Sequence, residues 1–538
     1  MAEKNKNSSF LKQATILAAA GLIVRFIGFL YRLPMTTLIG DNGNAIYSAG
    51  YQVYNFLLIL SSAGLPAAIG KMVSERLALR QYKNAHRVFL VALAGSGTIS
   101  FALMVLLIVF AEQIAVNICK IPDAYYTLLT LAPTIFIVGI MSVLRGYFQG
   151  MNNMAPTAIS QIVEQVFNAV FSVLLAWIFV GKSVALGAAG GTAATGIGAL
   201  AGLIVVVITY MAIRPAVIDA VKRRSRGNSR PESVGKIAKI LVSTAVPIII
   251  GTAIYSITNL ADMSMVMDRL LASGAFTAEE AESLYGQLQG KYVVLTTLPV
   301  AISTSMATAA VPNIAASMAL KDRAGVQRKI NMAIKIAMVI SIPAAVGMGI
   351  LAHQILLMLF PSTPKGGDLL AIGSVSIVFL ALSQIVTGTL QGIGKVKVPA
   401  VNAAFGAVVK IILNYVLIVI PEINVKGAVI STIFCYIVAS GLNLRALIKA
   451  ARFTPDLIGS LVKPLFASAI MGVFCYFSYK LMFFVGAGNT VSTLFAIAVS
   501  IFVYGIVLLL IKGITKNELK AMPMGGKLAA VFTRLGLM

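Results

Sequence analysis

Long apolar segments separated by short polar loops recur along the entire chain. A helix of about 20 apolar residues is long enough to cross the hydrocarbon core of a bilayer. The pattern therefore predicts an all-α polytopic membrane protein with about fourteen transmembrane helices. Their predicted limits are 14–33, 46–70, 88–111, 126–149, 157–180, 188–213, 238–267, 291–318, 330–358, 369–392, 399–420, 427–448, 458–482 and 489–511.

The composition agrees with a membrane protein, because 59% of the 538 residues are hydrophobic and only 11% are charged. A soluble chain carries about 25% charged residues. The net charge of +25 is concentrated in loops on one side of the predicted spans, as the positive-inside rule describes. We therefore predict a multi-pass protein of the bacterial plasma membrane with both termini in the cytoplasm and no nucleic-acid partner.

An internal repeat divides the chain at a basic loop. Leu65–Ile69 resembles Leu298–Ile302, and Gly146–Gly150 resembles Gly388–Gly392. Two matches in the same order, six spans apart, indicate two parallel six-helix halves related by an axis along the membrane normal. The predicted domains are an N-terminal lobe at 1–213, a basic cytoplasmic linker at 214–237, a C-terminal lobe at 238–450, and two additional spans with a cytoplasmic tail at 451–538.

The first span contains two arginines, Arg25 and Arg32, which are seven residues apart and so project from one helix face. A charge at the centre of a spanning helix costs about 2.5–3.5 kcal/mol on insertion scales. The pair is best explained if this face lines a water-filled cavity and meets an anionic group.

Further ionisable residues lie inside the predicted spans. Arg145 and Glu164 lie at similar depth in neighbouring spans, so a structural ion pair and a transport role both remain open. Lys410 is about three turns inside its span, which favours a role in a cavity. Asp262 either titrates or holds a cation during transport, or makes a simple helix contact. Lys335 is one turn inside its span, and we expect it to extend to the cytoplasmic surface.

The chain lacks the sequence motifs of common enzymes. It has no Walker A loop, dinucleotide fingerprint or nucleophile elbow. Its two histidines and three cysteines do not form metal-binding patterns. We therefore predict a transporter rather than an enzyme, with no cofactor and no metal site. The candidate substrate-binding residues are Arg25, Arg32, Arg145 and Lys410, and the candidate ion-coupling or ion-pair residues are Glu164 and Asp262.

Three stretches resemble a known family: Val24–Glu75, Leu144–Phe167 and Gly388–Ile418. They are similar to the polysaccharide-biosynthesis and stage V sporulation protein B group of the multidrug/oligosaccharidyl-lipid/polysaccharide exporter superfamily, which includes lipid II flippases. The resemblance implies two six-helix lobes around a central cavity, and two extra helices that form a groove for a lipid tail. It also implies substrates with a sugar head on undecaprenyl pyrophosphate.

The resemblance extends to single residues. Arg25–Phe29 resembles the first-helix motif of the lipid II flippases, whose next arginine would fall at Tyr31 rather than Arg32. Some relatives bind sodium through acids in helices seven and eleven. Asp262 matches the first of these, but the eleventh predicted span has Lys410 and two asparagines and no acid. Coupling to protons, sodium or the membrane potential therefore remains open.

The predicted function is an alternating-access flippase that moves an undecaprenyl-pyrophosphate-linked cell-wall precursor of the lipid II type to the outer leaflet. One alternative is a flippase for another polysaccharide or spore-cortex precursor. Another is a drug/cation antiporter of the same superfamily, although such a protein favours acids in its cavity. A third is a membrane scaffold without transport activity. The predicted partners are the lipid-linked saccharide and the bilayer; the sequence is compatible with a monomer and leaves the oligomeric state open.

Overall fold

The computed structural model describes residues 2–219, 221, 231–301, 303, 304, 314, 318, 322–395 and 397–514. Within these residues every regular element is helical, which confirms the predicted all-α class. The chain forms two compact units, which we call unit 1 (Met1–Asp268 and Ala278–Gly286) and unit 2 (Arg269–Thr277 and Gln287–Met538). The predicted domain boundary near the basic loop differs from this division and stays a prediction; residues 220 and 222–230 of that loop lie outside the described residues.

Eight helices of ten or more residues begin in the described part of unit 1. They are α1 (Ala2–Ser62), α2 (Leu65–Ala78), α3 (Tyr82–Val109), α4 (Ala124–Gly150), α5 (Ala155–Val180), α6 (Val184–Asp219), α7 (Val234–Ala272) and α8 (Ala278–Gln287). The three-residue helix Ala111–Gln113 and the π-helical turn Ile114–Cys119 join α3 to α4. The short helix α8 begins directly after Thr277, which with Glu280 has the residue types and spacing of a capping box.

Unit 2 contains the remaining helices. Residues 293–301 are helical and are followed by α9 (Arg323–Ile350), α10 (Ala352–Leu359), α11 (Gly367–Gly373), α12 (Ser376–Gly392), α13 (Lys397–Leu417), α14 (Lys426–Ala451), α15 (Lys463–Phe484) and α16 (Gly488–Leu510). The π-helical turns Leu288–Tyr292 and Ile458–Val462 precede the first of these and α15. The last two helices are the two additional spans that the hydropathy pattern predicts after residue 451.

Ten helices in the described part of the chain are long and apolar enough to cross a membrane, or eleven if the bent pair α11 and α12 counts as one span. One of the ten runs over residues 19–78 and so covers the first two predicted spans. Most residues between 302 and 321, which belong to the eighth predicted span, lie outside the described residues. The exact count of fourteen stays a prediction.

The first two predicted spans are continuous in α1 except for one break at Gly40. This glycine has φ 67° and ψ −171°, a conformation that is essentially restricted to glycine. The Asn44 side chain bridges the break, because its Nδ2 donates to the Gly40 carbonyl oxygen at 2.6 Å and to the Thr36 carbonyl oxygen at 3.3 Å. The sequence predicts a loop at residues 34–45; the structure instead has a kinked helix with an internal side-chain bridge.

The second predicted span is interrupted before its predicted end. The helix breaks at Ala63 and Gly64, and Pro66 lies in the first turn of α2, where its missing N–H leaves no helical hydrogen bond unmade. A Cβ atom at Gly64 would lie 2.7 Å from the carbonyl oxygen of Ala245, so the backbone of α7 approaches closely at this break. The second predicted span is therefore divided at this break, and α2 continues it past the predicted limit at residue 70.

The two sequence motifs of the repeat pack against each other in unit 1. A Cβ atom at Gly146 would lie 2.8 Å from the Cα atom of Pro66, and one at Gly150 would lie 2.6 Å from the Cβ atom of Val73. Only glycine allows α4 to approach α2 this closely. The motifs therefore mark a helix-packing contact, around which a core cluster of unit 1 forms.

Candidate functional site

The interior of unit 1 holds an ion pair between neighbouring helices. Arg145 of α4 donates through Nη2 to Glu164 Oε2 of α5 at 2.7 Å, and through Nε to Ser160 Oγ at 2.9 Å. The side chains of Arg145 and Glu164 are 13% and 26% exposed, so the pair is largely withdrawn from solvent. This geometry confirms the ion pair that their similar depth in the sequence suggests; a role in transport stays a prediction.

Glycines of α6 fix the position of Glu164. A Cβ atom at Gly198 would lie 2.5 Å from the Glu164 carbonyl oxygen, and one at Gly202 would lie 3.1 Å from the Glu164 Cβ atom. These two glycines, four residues apart, therefore let the backbones of α5 and α6 approach closely. The packing of α6 thus fixes the backbone and Cβ atom from which the Glu164 carboxylate reaches Arg145.

Arg32 packs on a row of tyrosines that we call the tyrosine ladder, Tyr47, Tyr51 and Tyr54. The guanidinium carbon of Arg32 lies 4.1 Å from the ring centroid of Tyr47. The Tyr47 and Tyr51 rings are stacked with centroids 5.7 Å apart, and the Tyr51 and Tyr54 centroids are 5.5 Å apart. The Nη1 atom of Arg32 is buried and has no hydrogen-bond acceptor among the described residues. An arginine in this state is able to donate to an anionic ligand.

Arg25 lies in a different environment from Arg32. Its side chain is exposed within unit 1, whereas Arg32 is half-buried against the ladder. Between the two arginines α1 packs closely on α5, because a Cβ atom at Gly28 would lie 3.3 Å from Gln165 Nε2. Three residues further on, Asn168 Nδ2 donates to the Tyr31 hydroxyl at 3.5 Å. The first span is thus held firmly on α5 while Arg25 remains accessible.

Asp262 of α7 is buried in unit 1 beside α8. Nearby lies Tyr285, which is fully buried and whose hydroxyl has no hydrogen-bond partner among the described residues. Burial raises the pKa of Tyr285, and the nearby Asp262 and Cys119 raise it further. The ion-coupling role of Asp262 stays a prediction. Within the described residues no group of three or more His, Cys, Asp or Glu side chains has the arrangement of a metal site.

Lys410 lies inside unit 2, on α13, with 7% of its surface exposed. The same face of α13 makes a polar contact with α14. Asn402 Nδ2 donates to Asn443 Oδ1 at 2.8 Å, and the Asn414 side chain accepts a hydrogen bond from Ser431. The structure therefore places Lys410 among the buried residues of α13, and its predicted role in substrate binding stays a prediction.

An apolar groove of about 600 Å³ runs between α9, α15 and α16 in unit 2. Val339 and Pro343 of α9 form one wall, Met471 and Cys475 of α15 the second, and residues of α16 the third. The Tyr504 hydroxyl of α16 donates to the Val339 carbonyl oxygen at 2.8 Å and so ties the third wall to the first. The surface of this groove is suited to a hydrocarbon chain.

Comparisons with known proteins agree with this geometry. The family model described as "Polysaccharide biosynthesis protein" matches residues 10–318, which is more than half of the chain. The chain belongs to the polysaccharide biosynthesis protein family. A second model, MatE, matches residues 293–416. This membership confirms the resemblance seen in the sequence and places the chain in the multidrug/oligosaccharidyl-lipid/polysaccharide exporter superfamily, whose members are transporters rather than enzymes.

Several relatives cover nearly the whole chain. Stage V sporulation protein B of Bacillus subtilis (strain 168) is 27% identical over 529 residues, covering 97% of this chain and 99% of the relative. Lipid II flippase MurJ of the same organism is 26% identical over 486 residues, covering 87% of this chain and 88% of the relative.

The fold is also that of solved transporters. The structure of lipid II flippase MurJ in an inward closed conformation matches with a TM-score of 0.67 and 16% identity, covering 92% of this chain and 98% of that chain. An inward-facing multidrug resistance MATE family transporter matches with the same TM-score and identity, covering 82% of this chain and 99% of that chain. The family fold thus serves both transporters of lipids and transporters of drugs.

Sequence reasoning about this family member missed the tyrosine ladder. Its residues follow the i, i+4, i+7 spacing of one helix face, so the pattern was present in the second predicted span. Tyrosine also occurs in apolar cores, and the spacing alone does not show that a cation lies above the rings. The structure brings the ladder together with Arg32, and its Tyr51 and Tyr54 lie within electrostatic range of Glu164.

Proposed function

We propose that this protein is a flippase that moves an undecaprenyl-pyrophosphate-linked saccharide, a cell-wall precursor of the lipid II type, from the inner to the outer leaflet. The observation that carries the proposal is the positive charge of Arg25 and Arg32 on the first span. The Nη1 atom of Arg32 is buried and has no hydrogen-bond acceptor among the described residues. A diphosphate supplies the acceptors that such donors require.

The proposed roles follow from the environment of each arginine. Arg25 is accessible and makes the first contact with the diphosphate, while Arg32 is held in a fixed orientation by the Tyr47 ring. Arg145 is already occupied by Glu164, and it contributes when the diphosphate displaces that carboxylate.

The apolar groove of unit 2 supports a lipid as the substrate. We assign it to part of the isoprenoid chain, because its walls are almost entirely hydrocarbon and it lies beside the two additional helices. A water-soluble cationic drug has no need of such a groove. The MATE-like fold and the MatE match favour drug export as the second candidate, but the arginines of α1 would repel a cationic drug.

The experiment is a flipping assay with a fluorescent lipid II analogue in proteoliposomes. Arg25→Ala is expected to fold and to lose most of the activity, and Arg25→Lys to restore part of it, since an ammonium cannot grip phosphate oxygens in pairs. Arg445→Ala, which removes an exposed arginine from unit 2, is the matched control and should retain parental activity. Parental flipping by Arg25→Ala would contradict the proposal.

Depletion in the source cell identifies the substrate. If the proposal is correct, the lipid-linked precursor that accumulates carries the peptidoglycan disaccharide. Accumulation of another lipid-linked glycan would assign the protein to a different polymer, and accumulation of none would favour the drug exporter.

A further inference from the structure

A second cavity lies at the start of α9 in unit 2, outside the regions assigned to the substrate. Its volume is about 680 Å³, and it is lined by the first three turns of α9 and by Asp456. Three basic side chains line it: Arg328, Lys329 and Lys335. Arg328 and Lys335 are seven residues apart, so they project from the same helix face with a rise of about 10.5 Å between them.

The wall opposite α9 is fixed in place. Gln327 Nε2 donates to the Arg452 carbonyl oxygen at 2.9 Å, and Asn331 Nδ2 donates to the Thr454 carbonyl oxygen at 3.1 Å. The backbone N–H of Asp456 in turn donates to Asn331 Oδ1 at 3.3 Å. These three hydrogen bonds tie the segment that precedes α15 to the face of α9, so the cavity is formed before any ligand arrives.

The two carboxylates of the cavity are engaged in capping helices. Asp322 Oδ1 accepts from the Gly325 N–H at 2.8 Å, and Asp456 Oδ1 accepts from the Gly459 N–H at 2.8 Å. Their negative charge therefore faces the positive ends of two helical segments, which partly offsets it. Three basic side chains line the cavity beside these two carboxylates, whose second oxygens accept no hydrogen bond from the described residues.

The segment that follows Asp456 shows where the cavity lies relative to the bilayer. Leu457, Ile458, Leu461 and Val462 are all exposed in the structure. A run of exposed apolar residues beside basic residues is typical of a segment that lies in the membrane interface. The loops that flank the cavity, 321–329 and 445–463, are rich in Lys and Arg and are predicted to face the cytoplasm. The cavity therefore opens at the level of the inner-leaflet head groups.

We propose that this cavity binds the phosphate head group of an anionic glycerophospholipid from the inner leaflet. Basic pockets between membrane helices on the cytoplasmic side bind such head groups. The phosphate lies between Arg328, Lys329 and Lys335, and the glycerol hydroxyls of a head group such as phosphatidylglycerol donate to the free oxygens of Asp322 and Asp456. The exposed apolar side chains after Asp456 contact the acyl chains. The bound lipid is a resident ligand of unit 2 and is not transported.

Native mass spectrometry of the full-length protein, titrated with phosphatidylglycerol or phosphatidylcholine, tests the proposal. The variant Arg328→Gln/Lys329→Gln/Lys335→Gln is expected to lose at least about tenfold in affinity for phosphatidylglycerol, because each basic residue near a membrane surface contributes to the attraction of anionic lipids. Its affinity for phosphatidylcholine should fall less, because the choline cation offsets the charge of the phosphate. If the triple variant fails to fold, the single change Lys335→Gln should lower the affinity about fivefold.

The matched control is Lys397→Gln/Arg445→Gln/Lys449→Gln, which removes the same charge from three exposed positions of unit 2 that do not line the cavity. It should keep the parental affinity within about twofold. An equal loss in both triple variants would show unspecific attraction and overturn the proposal, as would no loss in the cavity variant.

Two further probes separate the sources of phosphate. Undecaprenyl phosphate should bind the cavity variant and the parent alike; a loss confined to that lipid would assign the cavity to the transported substrate and overturn the proposal. Glycerol 3-phosphate should bind at least about tenfold more weakly than phosphatidylglycerol, because it lacks the acyl chains. Equal affinity would make the cavity a site for soluble anions. None of these outcomes depends on flipping activity, so the proposal fails or holds independently of the proposed function.

Discussion

The two halves of the repeat share a packing motif but not its chemistry. Gly146–Gly150 in unit 1 and Gly388–Gly392 in unit 2 are buried helix ends of the same pattern. The residue before the motif is Arg145 in unit 1 and Thr387 in unit 2. Arg145 forms an ion pair with Glu164, whereas the Thr387 hydroxyl accepts from Asn443 in a contact between uncharged side chains at 3.4 Å. The glycines that let helices approach are retained, while the side chain beside them is free to change.

The two units also differ in the kinds of surface that they provide. Unit 1 carries an ion pair, an arginine on a tyrosine ladder and an exposed arginine on a spanning helix. Unit 2 carries an uncharged amide contact between α13 and α14 and an apolar groove. A lipid with a charged head and a hydrocarbon tail needs both kinds of surface. The ion pair and arginines of unit 1 suit the charged head of the proposed substrate, and the apolar groove of unit 2 suits its hydrocarbon chain.

The largest expected effect comes from breaking the ion pair of unit 1. Arg145→Ala and Glu164→Ala should each lower the free energy of unfolding by up to about 3 kcal/mol, because each leaves a largely buried charge without its partner. The double variant should lose less than the sum of the single losses. Thr387→Ala at the matching position of unit 2 should lose only about 1 kcal/mol. Denaturant unfolding in detergent measures all four variants, and strict additivity would show that the pair contributes no coupling.

The second test adds one methyl group at two helical glycines. Gly198→Ala in unit 1 should destabilise by about 1–3 kcal/mol, because the new Cβ would lie 2.5 Å from the Glu164 carbonyl oxygen. Gly441→Ala in unit 2 meets nothing within 4 Å and should stabilise by up to about 1 kcal/mol through helix propensity. Thermal unfolding in detergent should shift in opposite directions; a shift in the same direction would argue against glycine-dependent packing of α5 on α6.

The third test compares the cation–π contacts of the two units. Arg32 lies 4.1 Å from the buried Tyr47 ring, and Arg269 lies 3.7 Å from the exposed Tyr415 ring of unit 2. Tyr47→Leu should cost about 2 kcal/mol and Tyr415→Leu about 0.5 kcal/mol, because desolvation strengthens the attraction. Denaturant unfolding of the two variants measures these costs. Equal losses of unfolding free energy would show that burial of the ring does not strengthen the contact.

The smallest effect is a pH dependence of opposite sign in the two units. Burial raises the pKa of Glu282 in unit 1 to about 7, and the nearby Asp123 and Glu279 contribute to this rise. In unit 2 the hydrogen bond from Lys426 lowers the pKa of Asp368, and His353 lowers it further. The ionised Glu282 therefore destabilises the fold increasingly as the pH rises from about 4.5 to 7. Asp368 stabilises it above its unfolded pKa, and that contribution is lost as the pH falls through its folded pKa.

Melting temperatures measured from pH 3 to 8, at about one value per pH unit, test the direction of both pH dependences. Glu282→Gln should melt higher than the parent above about pH 7 and equal to it below about pH 4.5. Asp368→Asn should melt lower than the parent at neutral pH and approach it in acid. If both variants changed in the same direction at neutral pH, the contrast between the two carboxylates would be wrong.

Hydropathy and spacing predicted much of this structure, and the failures have physical reasons. The pairing of Arg145 with Glu164 was predictable because two opposite charges at one depth in adjacent spans have few other partners. The helical path through residues 34–45 was not, because its polar residues are typical of a loop and their hydrogen bonds appear only when the chain is folded. Lys410 shows a further limit, since a polar residue in a span has the same pattern whether it lines a cavity or a helix contact.

The break at Gly40 has a consequence for how the sequence can vary. At φ 67° and ψ −171° no side chain is tolerated, although a Cβ atom at this position would meet nothing within 4 Å. The restriction is therefore set by the backbone torsion angles alone and not by any neighbour. Compensating substitutions elsewhere cannot relieve it, and selection from a library randomised at this codon should return only glycine.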